Sequence, residues 1–394
     1  MPPMSRPTEK LRLLTERVLD DDIVFDILTR LPVKSLIRFR CVSKSWYSTI
    51  TNPIFIATHF KLNEAKSLSN KNSHNGYLLY TPVTESYYFH EELRTLFYNR
   101  DRTVTEISRF ITPFPFCDAF MNCFCNGIFC LDRCDETNGD HMIYLWNPSI
   151  RKFKMLAPAL MTDPCDSATL GLAYHSQKND FKILRLVSFL GSLGEPDPLT
   201  EAEVYTLSTD SWRKVVSAEL SDPNAGLLSH RSPYIFFNGA LHCIAAHKHC
   251  SSFILSFDIN DERFHKIMLP LDFLDVYQSY LTVFKGSLAY IIISDYLATG
   301  GIMCHLWVMK EYGVAESWTR KCVPIDWFHH FHGCTDNGEL LIKNFMGLIS
   351  IDPENLLQNS LIMESNIRGV GYAANSIESL VLLDGINVSS EYED

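Results

Sequence analysis

The chain has 394 residues, 46% of them apolar, and a formal net charge of −11. That apolar content suffices for a large core, and the acidic balance argues against a protein whose whole surface binds nucleic acid or an anionic membrane. The longest apolar runs, such as 288–293, are strand-sized, far below the ~18–20 residues needed to cross a bilayer.

The opening residues 1–15 read as a tail. Met1 to Pro7 is polar and proline-rich, without the apolar stretch of a secretory signal. The expected compartment is therefore cytoplasmic, nuclear or both. In that setting the twelve cysteines are expected to be reduced, small apolar core residues.

Residues 16–60 read as a helical unit of about three short helices. Asp20, Asp21 and Asp22 suit the partly positive start of a helix. Ile23, Ile27, Leu28 and Leu31 then fall on one face, and Pro32 stops the run. Leu36 and Phe39 begin a second stretch. Val42, Trp46 and Ile50 continue it at four-residue steps until Asn52-Pro53. From Ile27 to Asn63 there is no Asp or Glu, but there are six cations: Arg30, Lys34, Arg38, Arg40, Lys44 and Lys61. This zone carries +6, and the remainder carries −17 (−11 minus 6). About 40 residues make a poor independent core, so such a unit should expose apolar surface and bind a partner. The cations admit a second reading, a helix-turn-helix DNA binder. They are spread around the helices, which disfavours it. The polar residues 61–76 read as a linker.

The run from Ile23 to Trp46, with Leu31-Pro32-Val33-Lys34-Ser35-Leu36 and Arg40-Cys41-Val42-Ser43-Lys44-Ser45-Trp46 at its centre, resembles the F-box of plant F-box proteins. The resemblance implies docking on a Skp-family adaptor, and through it on a cullin scaffold. It marks Leu19, Ile23, Ile27, Leu28, Leu31, Pro32, Leu36, Val42 and Trp46 as the apolar adaptor-binding residues. Val42 and Trp46 also suit a place in the unit's own small core. One departure is the opening pair: the family has Leu-Pro where this chain has Leu19-Asp20. The implied consequence is weaker or re-angled docking.

Residues 77–387 are strand-patterned. A module recurs that opens on a glycine and an apolar strand: Asn126-Gly127, Gly171, Asn238-Gly239, Lys285-Gly286 and Asn337-Gly338. It closes on a strand, a polar turn and an aromatic. The closing aromatics Phe153, Trp212, Phe264 and Trp318 are 59, 52 and 54 residues apart. A period near fifty with hairpin turns predicts an all-β propeller-like domain of six or seven blades. Each closing aromatic is expected between neighbouring blades. The apolar run 379–383 is expected to return to Gly76 and close the ring. Residues 388–394 form an acidic tail.

This half resembles the F-box-associated domain of plant F-box/kelch-repeat proteins. The resemblance rests on Leu145-Trp146-Asn147-Pro148-Ser149, Ile254-Leu255-Ser256-Phe257-Asp258, the run 306–314 and Glu378-Ser379-Leu380-Val381. The kelch double glycine occurs once, at Gly300-Gly301.

No phosphate-binding loop, serine elbow or H-E-x-x-H helix is present. Cys123, Cys125, Cys130 and Cys134, like His247, His249 and Cys250, fit no standard zinc spacing. His329, His330 and His332 read as loop or strand surface. No cofactor or metal is expected. The resemblance implies a non-catalytic substrate receptor of an SCF-type ubiquitin ligase, whose propeller binds a protein target. Stretches 158–168 and 190–198 are the candidate recognition loops. Two other readings stay open: a ligase-independent interaction module with a degenerate F-box, and a propeller enzyme.

Overall fold

The computed structural model describes residues 21–69, 76–82, 92–98, 103–111, 121–134, 141–161, 168–188, 200–216, 220, 225–228, 234–247, 252–270, 278–296, 301–362, 367–373 and 378–382. The first unit is helical: α1 (Asp21–Thr29), α2 (Val33–Phe39), α3 (Lys44–Thr51) and α4 (Pro53–Ser69). Two sequence expectations change here. Among the described residues there are four helices where about three were expected. The first nine residues of the expected linker, 61–69, belong to α4. Polarity had suggested a linker, but Asn, Glu, Lys and Ser at these positions lie within a tolerable range of helix propensity. Asn52-Pro53 does end α3. Proline at the first position of α4 then serves as a start, because its missing N–H would have no partner there.

The described strands form six antiparallel sheets. Sheet I contains β1 (Gly76–Pro82), β2 (Glu92–Tyr98) and β3 (Val104–Ile111). Sheet II contains β4 (Met121–Cys125), β5 (Ile128–Cys134), β6 (His141–Asn147) and β7 (Lys152–Met155). Sheet III contains β8 (Ala168–His175), β9 (Asp180–Ser188), β10 (Thr200–Thr206) and β11 (Ser211–Val215). Sheet IV contains β12 (Ala225–Leu228), β13 (Ile235–Phe237), β14 (Ala240–His247), β15 (Ser252–Asp258) and β16 (Phe264–Met268). Sheet V contains β17 (Gln278–Phe284), β18 (Ser287–Tyr296), β19 (Gly301–Met309) and β20 (Trp318–Ile325). Sheet VI contains β21 (His330–Cys334), β22 (Leu340–Asn344), β23 (Gly347–Ile351) and β24 (Gln358–Ile362). A last strand, β25 (Ile367–Ala373), joins sheet I beside β1.

The leading strands β25, β4, β8, β13, β17 and β21 are neighbours in that order, and β21 returns to β25. This is the ring of a propeller. Closure comes from β25, with Tyr77 opposite Ala373 and Tyr80 opposite Val370. The sequence had placed the closing strand at 379–383. Residues 378–382 make no strand and have a different role, described below.

Turn chemistry places the hairpins where the glycines lie. Asn126-Gly127, Asn238-Gly239 and Lys285-Gly286 each have both residues at positive φ, from 48° to 85°. That is the two-residue turn whose twist matches antiparallel strands. Gly171 is the exception among the five. It lies inside β8, where a Cβ would come within 2.9 Å of the Tyr234 side chain. Its signal is close packing between sheets III and IV.

Apolar clusters fill the spaces between sheets. Leu184, Leu186 and Val204 of sheet III pack with Leu241, Phe253 and Phe257 of sheet IV. Two closing aromatics also bridge sheets by hydrogen bonds. Trp212 Nε1 donates to Ala157 O, just past sheet II, at 2.8 Å, and Trp318 Nε1 donates to Met268 O of sheet IV at 3.1 Å. A buried indole N–H needs such an acceptor, so these residues both fill and fasten the gap. Cys123, Cys125 and Cys130 are buried in the sheet II core. None of the described helices is long and apolar enough to cross a membrane.

Candidate functional site

In each sheet of this meander the first-to-second and third-to-fourth hairpins lie at one end. The remaining strand ends, from which the chain leaves toward the third strand or the next sheet, lie at the other. The helical unit sits on the first of these ends. Phe60 of α4 packs against Tyr174 and Phe181, with ring centroids 4.9 and 6.4 Å away, at the β8–β9 hairpin. Ile150, in the β6–β7 hairpin, packs against the core of the helical unit.

That core holds Leu28, Val33, Leu36, Ile50 and Phe55. Phe25 meets Phe55 edge to face at 5.2 Å, and Phe39 meets Trp46 at 5.3 Å. Ser43 starts α3 by accepting from Trp46 N at 3.1 Å, which satisfies one of the free N–H groups of the first turn. His59 is fully buried, and its Nε2 lies 2.9 Å from Leu31 O, the carbonyl left free where Pro32 stops α1. Nε2–H is therefore the donor. Burial holds this imidazole below its ordinary value of 6.5, against the opposing pull of Leu31 O and Glu378.

The nine residues marked by the sequence divide three ways. Leu28 and Leu36 are buried in the core, and Leu31 and Trp46 pack partly buried against it. Ile23, Ile27 and Val42 stand out, with 49%, 48% and 61% of their surface exposed, and Pro32 is exposed too. Leu19 and the Leu19-Asp20 departure lie outside the described residues. Ile23 and Ile27 are one turn apart on α1, so they share a face. Sequence reasoning missed three other exposed apolar residues of the described helices, Tyr47, Ile54 and Leu62. Tyr47 carries the Arg40 guanidinium 4.9 Å above its ring. Ile54 borders a shallow cleft of about 240 Å³ with Phe25, Ser48, Thr49 and Asn52. The only sequence signal for Tyr47 was its place beside the marked Trp46.

Elsewhere, burial holds His242 and His330 down to about 4, with the charges of His329 and Lys343 adding to the effect at His330. His330 and His332 are half-buried, with ring centroids 4.8 Å apart, while His329 is exposed. Their reading as surface holds only for His329. The pair faces Tyr280, whose ring lies 5.3 Å from His330. The recognition stretch 190–198 lies outside the described residues, as do 162–167 of the other stretch. His59, His242 and His330 take up protons more readily in the unfolded chain than in the folded one. Stability is therefore full above about pH 6.5 and falls as pH drops toward 4. We expect Tm to fall between about pH 7 and pH 5. A level or rising Tm across that window would show these imidazoles to be accessible to protons in the fold.

Residues 18–58 match the F-box domain, and residues 93–364 match the F-box associated β-propeller domain. The chain belongs to the F-box proteins with an F-box associated propeller. It is 28% identical to F-box protein At3g07870 of Arabidopsis thaliana over 330 residues, covering 77% of this chain and 72% of that protein. It is 29% identical to F-box protein At5g49610 of the same plant, covering 77% and 79%. It is 25% identical to the F-box/kelch-repeat protein At3g23880, also of Arabidopsis, covering 76% and 77%. The helical unit is thus the F-box, seated on the hairpin end of its propeller.

Proposed function

We propose that this F-box protein is the substrate-recognition subunit of an SCF-type ubiquitin ligase. Its F-box docks on a Skp-family adaptor and so on a cullin. Its propeller, with the six sheets as blades, holds a protein target. The observation that carries this reading is the outer face of the F-box. Ile23, Ile27, Pro32 and Val42 remain exposed, while Leu28 and Leu36 are buried and Leu31 and Trp46 pack against the core. Fully burying such a side chain is worth about 1.5–3 kcal/mol, so a partner covering this face gains substantially. Direct contact is assigned to Ile23, Ile27, Pro32 and Val42, with Leu28, Leu31, Leu36 and Trp46 shaping the face from beneath. Leu19 extends the set on the resemblance alone.

The chain itself is read as non-catalytic. A receptor of this kind raises the concentration of target lysines near a thioester carried by another subunit. The F-box covers the hairpin end of the ring, so target binding is assigned to the opposite end. Trp327 and Phe345 stand exposed there, with ring centroids 5.6 Å apart.

Co-expression of the tagged full chain with a Skp-family adaptor tests the reading. A stoichiometric complex on size exclusion is expected. An adaptor that never co-elutes would overturn it in favour of a ligase-independent interaction module.

A further inference from the structure

Two motifs far apart in the chain, Leu145-Trp146-Asn147-Pro148-Ser149 and Glu378-Ser379-Leu380-Val381, meet in the structure. Asn147 is fully buried. Its Nδ2 donates to Ser379 O at 3.0 Å and to Val381 O at 2.7 Å, while its Oδ1 accepts from Ser149 N at 2.9 Å. Ser379 N donates back to Ser149 Oγ at 3.4 Å. One side of the 378–382 segment is thereby fixed to the β6–β7 hairpin of the propeller.

The other side faces the F-box. The Glu378 carboxylate accepts from Val33 N at 2.9 Å. Val33 opens α2, whose preceding residue Pro32 offers no side-chain cap. Asn63 Nδ2 of α4 donates to Glu378 O at 3.3 Å. Between these contacts Leu380 is wholly buried among Leu28, Val33, Leu36, Ile50 and Phe55. Two residues on, Leu382 joins the cluster that contains Phe60, Tyr174 and Phe181. Alternate side chains of the segment therefore enter the F-box core and the F-box–propeller junction.

A helical unit this small cannot bury enough surface by itself. Here the missing part comes from the end of the chain, five residues beyond the strand that closes the ring. We propose that 378–382 is a latch that completes the F-box only once the propeller has closed. The F-box is synthesised before the propeller and its core is finished after it. A chain lacking its C-terminal end, or one whose ring has not closed, then presents an unfinished F-box. The latch also sets the orientation of F-box to propeller, and so the direction in which a bound target is held. The inference concerns the chain's own folding and does not depend on the adaptor reading.

Amide hydrogen exchange on the full chain tests it without any partner. In Leu380→Ala and Leu380→Asp, exchange in α2 and α3 is expected to quicken at least about tenfold, with β14, β15, β18 and β19 unchanged. Leu380→Met, which keeps the volume, is expected to stay near wild type. Unchanged exchange in α2 and α3 of both disruptive variants would overturn the latch. So would an equal loss of protection in the blades, which would make the segment an ordinary part of the propeller.

Discussion

Replacing Ile23 and Ile27 together by Asp is expected to weaken the proposed binding of a Skp-family adaptor by about a hundredfold or more, with the chain still folded. Each side chain is already about half covered in the free chain, so what a partner gains from each is about 0.7–1.5 kcal/mol, and two carboxylates must then be desolvated at the interface. A hundredfold corresponds to about 2.7 kcal/mol, which the apolar loss and the carboxylate desolvation supply together. The fold should tolerate the change. Both side chains are half exposed and lie outside the F-box core cluster. Ile23 lies in the first turn of α1, beside Asp21 and Asp22, where a further carboxylate suits the helix dipole. Titration calorimetry gives the affinity, and a thermal melt gives the control. Affinity within about threefold of wild type would remove this face from adaptor docking. The pair Leu31 and Trp46, which the sequence motif suggests first, makes a poorer test. Both pack against the core, so their loss also loosens the F-box.

Glu203→Ala is expected to cost the propeller about 3–5 kcal/mol. Glu203 and Arg185 sit opposite each other on β10 and β9, with Nη1 and Oε1 2.6 Å apart and both side chains almost wholly buried. Removing the carboxylate strands a guanidinium in the core. It also frees Leu160 N, which donates to Glu203 Oε2 at 3.0 Å, while Arg185 Nη1 holds Met161 O at 2.8 Å. The pair thus anchors the crossover from sheet II to sheet III, at the end of the ring opposite the F-box. Denaturant unfolding of the full chain measures the loss. A cost below about 1 kcal/mol would mean that water reaches the pair. The double variant Arg185→Leu, Glu203→Leu should recover most of the loss, because two matched apolar side chains leave no buried charge unpaired.

Much of the molecule is legible along the chain because its signals are local. Asn-Gly and Lys-Gly pairs specify tight hairpins through positive φ, and the turn fixes which strands pair. The recurring aromatics Trp212 and Trp318 mark the same position, the start of the fourth strand, in sheets III and V and bridge to the sheet before, as their spacing implied. The helical period of the F-box shows which apolar residues share a face. It cannot show which of them turn outward. Leu28 and Ile27 are neighbours of similar hydrophobicity, and only the packing of α4 across α1 buries one and exposes the other.

The same division explains the two C-terminal differences. The apolar run 379–383 looked like the closing strand, whereas 367–373, with two glycines, did not. Pairing with β1 is a contact across nearly the whole chain, and the ring supplies the partner edge that makes a weak strand sufficient. The better apolar run was left for the F-box, where Leu380 fills a core that a short helical unit cannot complete alone. The sequence by itself determined the F-box, the strand-and-turn grammar of the propeller and the family. Tertiary structure decided which marked residues stay exposed, how far α4 runs and what the last apolar segment does. The first depends on helices packing across one another within the F-box, and the other two on partner surfaces more than a hundred residues away in the chain; no local pattern carries that information.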